Sequence, residues 1–136
     1  MLIPITENNW EGTISQAIPY FERCLEKGAL PHTIDDVLVG IASGEFRAFL
    51  MVDDGIVCGA IILNIYRELS FNVLNIWAMS HDRGYSDLDA DDITLMELAK
   101  TLGIRYIVCS GRKGFERTLA KRGWNVEQVL MTKEVI

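Results

Sequence analysis

At 136 residues, with 49% apolar and 24% charged side chains, the chain has the composition of one folded domain, here expected to span residues 1–136. A formal charge of −6 and a pI near 4.8 disfavour nucleic acid and anionic membranes as partners. The longest apolar run, Ile56–Leu63, is too short to cross a bilayer, and the first residues lack a signal peptide's composition, so a soluble cytoplasmic protein is expected.

Leu2 to Thr6 reads as a short first strand. Ile14, Ala17, Ile18, Phe21 and Leu25 recur at helical intervals, which predicts an amphipathic helix over 14–27 that stops at Gly28. Thr33, with Asp36 three residues on, has the pattern of a capping box. Val37, Leu38 and Ile41 supply the apolar stripe of that second helix, and Gly44 ends it. Phe46–Val52 and Ile56–Tyr66 are β-type runs joined at Asp54-Gly55, a strong short hairpin signal. Phe71–Met79 is a third such run and completes an antiparallel meander.

Ala90–Leu102 carries apolar residues on most faces, including Ile93, Leu95, Met96 and Leu98, and predicts a well-buried helix. Tyr106–Cys109 is a β-branched run that a right-handed crossover through this helix makes the parallel neighbour of Phe71–Met79. Gly111–Trp124 (GRKGFERTLAKRGW) predicts a short basic helix, with Gly123 at its left-handed C-cap. A last strand is expected over Val126–Ile136. The order is β-α-α-β-β-β-α-β-α-β, a mixed α/β fold whose mostly antiparallel sheet has helices on both faces.

Cys24, Cys58 and Cys109 are widely spaced and sit in apolar surroundings, which fits buried thiols in a reducing compartment. Cys109, with His81 as base, is the alternative nucleophile. Five aspartates, Asp82, Asp87, Asp89, Asp91 and Asp92, crowd eleven positions. Asp89 as N-cap with Asp92 at N3 accounts for part of the cluster. A calcium loop starting at Asp87 fails where glycine is required, at Asp92, and at the last ligand, Leu98, so no metal is expected.

The element order, with two helices before the meander, resembles the GNAT superfamily of N-acetyltransferases. Val52-Asp-Asp-Gly-Ile-Val-Cys-Gly59 is similar to the family's hairpin, Asn75-Ile-Trp-Ala-Met79 to its fourth strand, and Gly111–Trp124 to the unit before its closing strands. The Gly111–Trp124 unit is closest to the ending of small GNAT-like proteins of tailed phages. The resemblance implies acyl transfer from acetyl-CoA to an amine, with the backbone of Trp77, Ala78 and Met79 pairing with pantetheine and holding the acetyl carbonyl. It implies phosphate contacts from Arg83 and Arg112, and the position of His81 makes it the candidate general base.

The sequence departs from the family at two places. The pyrophosphate loop, whose backbone N–H groups cradle phosphate, reads Arg83-Gly-Tyr-Ser-Asp-Leu88, with Ser86 and Leu88 where glycine and a small residue belong. A carboxylate about 5 Å from a phosphate costs roughly 3 kcal/mol at an effective dielectric near 20. The tyrosine that protonates the leaving thiolate in many members is replaced by Leu119. Two readings therefore stand open. One is an acetyl-CoA-dependent N-acyltransferase in a host cytoplasm. The other is a non-catalytic phage virion or assembly protein, with self-association or phage structural proteins as partners and the basic stripe Lys113, Arg117 and Lys121 meeting the acidic loop of another copy.

Overall fold

The computed structural model describes residues 1–28, 31–110, 119–126 and 131–135. Strand β1 (Leu2–Pro4) leads through a short 3-10 turn (Glu7–Asn9) into helix α1 (Trp10–Glu26), followed by α2 (Ile34–Ala42). The meander β2 (Arg47–Asp53), β3 (Ile56–Arg67) and β4 (Asn72–His81) comes next, then α3 (Leu88–Thr101) and β5 (Tyr106–Cys109). The sheet runs in the order β1-β2-β3-β4-β5; its first three pairings are antiparallel and β4–β5 is parallel. The expected crossover is therefore present, with Val73 opposite Tyr106 and Ile76 opposite Cys109. Among the described residues, 126 and 131–135 of the expected closing strand are not strand.

Local chemistry accounts for most of these boundaries. The Thr33 hydroxyl accepts from the Asp36 backbone N–H at 3.2 Å, and Asp36 returns a carboxylate to the Thr33 N–H at 2.8 Å. The bond from the Thr33 backbone N–H foremost, and then the Thr33 side chain, lower the Asp36 carboxyl from its ordinary value. Asp54 and Gly55 both have positive φ, 50° and 76°, as a two-residue hairpin turn requires. At the end of the 119–123 turn, the N–H groups of Gly123 and Trp124 bond the carbonyls of Ala120 and Leu119, the bond pattern of a glycine C-cap. Helix α1 begins four residues before the expected start and carries Pro19 in its interior. Proline removes a backbone hydrogen bond there, so burial of Ala17 and Phe21 against the sheet has to hold the helix.

The sheet separates two apolar layers. On one face α1 and α2 pack Ala17, Phe21 and Val37 against Ala48, Leu50, Ala60 and Ile62. On the other, Leu95 and Ala99 of α3 cover Met51, Ile61, Leu63, Leu74 and Ile76. Helix α3 corrects two expectations. It starts at Leu88 with Asp87, not Asp89, as N-cap, and no side chain caps it. It is also not buried on most faces. Only Asp91, Leu95 and Ala99 are buried, one stripe at four-residue spacing, while Ile93 and Met96 turn outward at 63% and 51% exposure.

Candidate functional site

Strand β4 changes character at Trp77. Ile62 of β3 pairs with Ala78 and Leu63 with Ile76, so Trp77 is an extra residue, a β-bulge. One added residue inverts the side-chain alternation beyond it. Leu74 and Ile76 face α3, yet Ala78 packs with the α1 and α2 layer and Met79 with the α3 layer. Trp77 sits at the same layer as Ala78, its ring 4.8 Å from Phe46 and 5.2 Å from His32. Pairing with β5 ends at Ile76, so among the described residues 77–81 have no strand on that side.

Two glycine features support this end of β4. A Cβ at Gly59 would lie 2.5 Å from the Ser80 carbonyl oxygen and 2.7 Å from the His81 Cβ. Only glycine lets β3 approach β4 so closely where the strand ends. The chain then turns through Gly84, at φ 81°, toward α3.

On the α1 side, the Tyr20 hydroxyl donates to Asp82 Oδ2 at 2.8 Å, and Arg23 lies 3.5 Å from Asp82 Oδ1 and from the Ser80 hydroxyl. Burial and that hydrogen bond push the Tyr20 phenol up to about 12. On the α3 side, the His81 ring stands 5.7 Å from that of Tyr85, and its Nδ1 is 3.0 Å from the Asp82 carbonyl oxygen. The Tyr85 hydroxyl donates to the buried Asp91 carboxylate, and burial followed by this bond raises its own pKa. Met1's amine bonds Tyr85 and Asp87 at 3.0 Å each and lies 3.2 Å from Asp91.

The aspartates are thus not a bare acidic cluster. Asp82 pairs with Arg23, Asp87 and Asp91 with the Met1 amine, and Asp89 with Arg122 at 2.7 Å. Asp92 accepts from the Trp124 indole at 3.3 Å. Part of the repulsion expected against a phosphate is offset inside the fold. Arg122, which is not part of the stripe of Lys113, Arg117 and Lys121, meets Asp89 in the same chain. Lys113, Arg117 and Arg112 lie outside the described residues.

The expected site residues fall in three places. Trp77, Ala78 and Met79 form the bulge and the strand beyond it. His81 closes the strand, in contact with Tyr85 and Asp82. Arg83 is exposed in the turn, with no hydrogen bond or ion pair among the described residues. Cys109 is half-buried at the end of β5, and burial pushes its thiol up, which works against a thiolate nucleophile. Tyr20, Arg23 and Tyr85 were not singled out by sequence. Tyr20 and Arg23 look like polar interruptions of an apolar helix until the fold brings Asp82, 62 residues from Tyr20, beside them.

Among the described residues no group of three or more His, Cys, Asp or Glu is placed to hold a metal ion, and no helix is long and apolar enough to cross a membrane. A groove of about 1070 Å³ lies elsewhere, between the 3-10 turn and the end of α2, and none of the candidate residues lines it.

No protein-family model matches the sequence, and a search of curated proteins finds no match. Solved structures do match. An aminoglycoside acetyltransferase from an uncultured soil metagenomic sample, in complex with sisomicin, is 16% identical with a TM-score of 0.71, covering 100% of this chain and 95% of its own. An aminoglycoside N-acetyltransferase in complex with CoA is 10% identical with a TM-score of 0.68, over 98% and 93% of the two chains. Glucosamine-6-phosphate N-acetyltransferase from Arabidopsis thaliana is 16% identical with a TM-score of 0.65, over 89% and 92%. At these identities the likeness establishes the architecture: the chain has the fold of the GNAT acetyltransferases.

Proposed function

We propose that this protein transfers an acetyl group from acetyl-CoA to a primary amine. The observation that carries the reading is the bulged end of β4. Beyond Ile76 the strand leaves β5, so the backbone of Trp77, Ala78 and Met79 has no strand partner on that side among the described residues. In the family the sequence resembles, that backbone pairs with pantetheine, and a fixed N–H there would stabilise the oxyanion that develops on the acetyl carbonyl. His81 at the end of the same strand would take the proton from the attacking amine, and the thiol of CoA would leave.

The fit to the cofactor is uneven along its length. The free β4 edge suits pantetheine. Helix α3 has fourteen residues and no side-chain cap, so its first N–H groups and its dipole favour an anion. Ser86 is bonded instead to Asp53 at 2.8 Å, and three carboxylates stand in or beside the first turn. Arg83, and Arg112 beyond the described residues, would supply the opposing charge. Binding weaker than roughly 100 μM follows from this balance.

That unfavourable loop is what favours a second reading, a phage assembly or virion protein that reuses the fold without catalysis. The Gly111–Trp124 ending supports a phage source for either. Titration calorimetry with acetyl-CoA, followed by thiol release in the presence of amines, separates the two. Saturable binding and amine-dependent thiol release support transfer. No heat up to millimolar acetyl-CoA sinks it.

A further inference from the structure

We infer that Tyr20, acting through Asp82, fixes the tautomer of His81 and leaves its Nε2 as the proton-accepting atom; this deepens the acetyl-transfer reading, which alone gives that nitrogen a use. The His81 Nδ1 lies 3.0 Å from the Asp82 carbonyl oxygen. A carbonyl oxygen can only accept, so Nδ1 carries the hydrogen and the lone pair of the neutral ring sits on Nε2. Histidine side chains free in water favour the opposite arrangement, so the fold has to impose this one.

The carbonyl can impose it because Asp82 is held from two elements. Its backbone N–H donates to the Cys58 carbonyl of β3 at 2.7 Å. Its carboxylate takes the Tyr20 hydroxyl at 2.8 Å and the Arg23 guanidinium at 3.5 Å, both from α1. Arg23 lies over the Tyr20 ring, 5.1 Å from its centroid, and so stays on the same side of Asp82. The Tyr20 hydroxyl has one proton and two neighbouring acceptors, and the carboxylate at 2.8 Å is the stronger partner than the Val57 carbonyl at 3.5 Å. With its side chain and its N–H both held, residue 82 has little freedom to turn its carbonyl away from the ring. Tyr20 is therefore a positioning residue, and Asp82 the link.

The test is nitrogen-15 NMR of the histidine rings of the full chain, at a pH where both are neutral. The sequence has two histidines, and His32, exposed beside Trp77, serves as the reference once assigned by His32→Gln. The ratio of Nδ1–H to Nε2–H is expected to be about fivefold or more higher in His81 than in His32, the bias one net hydrogen bond supplies. Tyr20→Phe and Asp82→Ala are expected to return the ratio toward that of His32, and Asp82→Asn, which keeps an acceptor for Tyr20, to retain it. A wild-type His81 with Nε2–H dominant overturns the inference, as does an unchanged ratio in Tyr20→Phe or Asp82→Ala. The wild-type spectrum needs no variant to fold. It also needs no substrate, so a chain inactive in transfer would sink the function and leave the tautomer result standing.

Discussion

The β2–β3–β4 meander and the segment 82–92 that follows it are adjacent in the chain but are held by different forces. The meander is held by apolar burial on both faces and by backbone geometry at two short turns and one close approach. The 82–92 segment contributes Tyr85 and few other apolar residues to the core, and is fixed by polar contacts to α1, to the first residue and to residues 122 and 124. Burial is non-directional and tolerates small shifts, whereas each polar contact depends on one partner at one distance. Substitutions should therefore cost much stability in the first region, and change local geometry at little global cost in the second.

The largest effect is expected at Phe21, 1% exposed where α1 meets the sheet. Phe21→Ala should cost about 3–5 kcal/mol in urea unfolding, since the cavity forms under a helix already weakened by Pro19. A loss below about 1 kcal/mol would mean that α1 does not depend on this face. Gly59→Val comes next, at about 1–3 kcal/mol, because the new Cβ meets the Ser80 carbonyl and His81. It should also displace His81, so its ring signals should shift even where the fold survives. Unchanged stability and unchanged His81 signals would show that β3 and β4 do not depend on their close approach at Gly59.

The same contrast explains what the sequence disclosed. The hairpin at Asp54-Gly55, the Thr33–Asp36 capping box and the parallel partnership of β4 and β5 were readable because their signals are local or follow from chain handedness. The apolar residues of Ala90–Leu102 predict a well-buried helix, but their number does not fix their direction. Asp91 faces the core while Ile93 and Met96 face out. Strand β4 is legible from its β-type run Phe71–Met79, and the bulge at Trp77 is not, since an extra residue leaves no mark in composition. The partners of the aspartates were invisible for a plainer reason. Tyr20 with Asp82 and Arg122 with Asp89 are contacts between distant parts of the chain, and polar residues carry no periodic signal for them.

A pH series sharpens the comparison, because both raised phenols bond aspartates of the second region. Tyr20 moves from an ordinary value of 10.0 to about 12 on folding, and Tyr85 is raised as well. A raised folded value means that the protonated phenol is the stabilised form. The contribution of Tyr20 is complete below pH 10 and is lost as the pH climbs from 10 toward about 12. The stability difference between wild type and Tyr20→Phe should therefore be constant from pH 7 to 9 and shrink across that window. A difference that stays flat to pH 12 would detach Tyr20 from Asp82.

The smallest effect is expected at Asp89, 82% exposed in its side chain and paired with Arg122 at 2.7 Å. Exposed pairs gain little because water screens the attraction and two side chains must be held still. Asp89 also sits in the first turn of α3, where a carboxylate is favoured by the helix dipole. Asp89→Ala should then cost between about 0 and 1 kcal/mol at low ionic strength, with the difference fading in molar salt, where the screening length falls to about 3 Å. The Trp124 indole, bonded to Asp92 and packed against the α3 layer, would keep residues 119–126 in place. A salt-independent loss of about 2 kcal/mol or more would exceed what an exposed pair supplies. It would make the Asp89–Arg122 contact a structural tie and move part of the second region into the first.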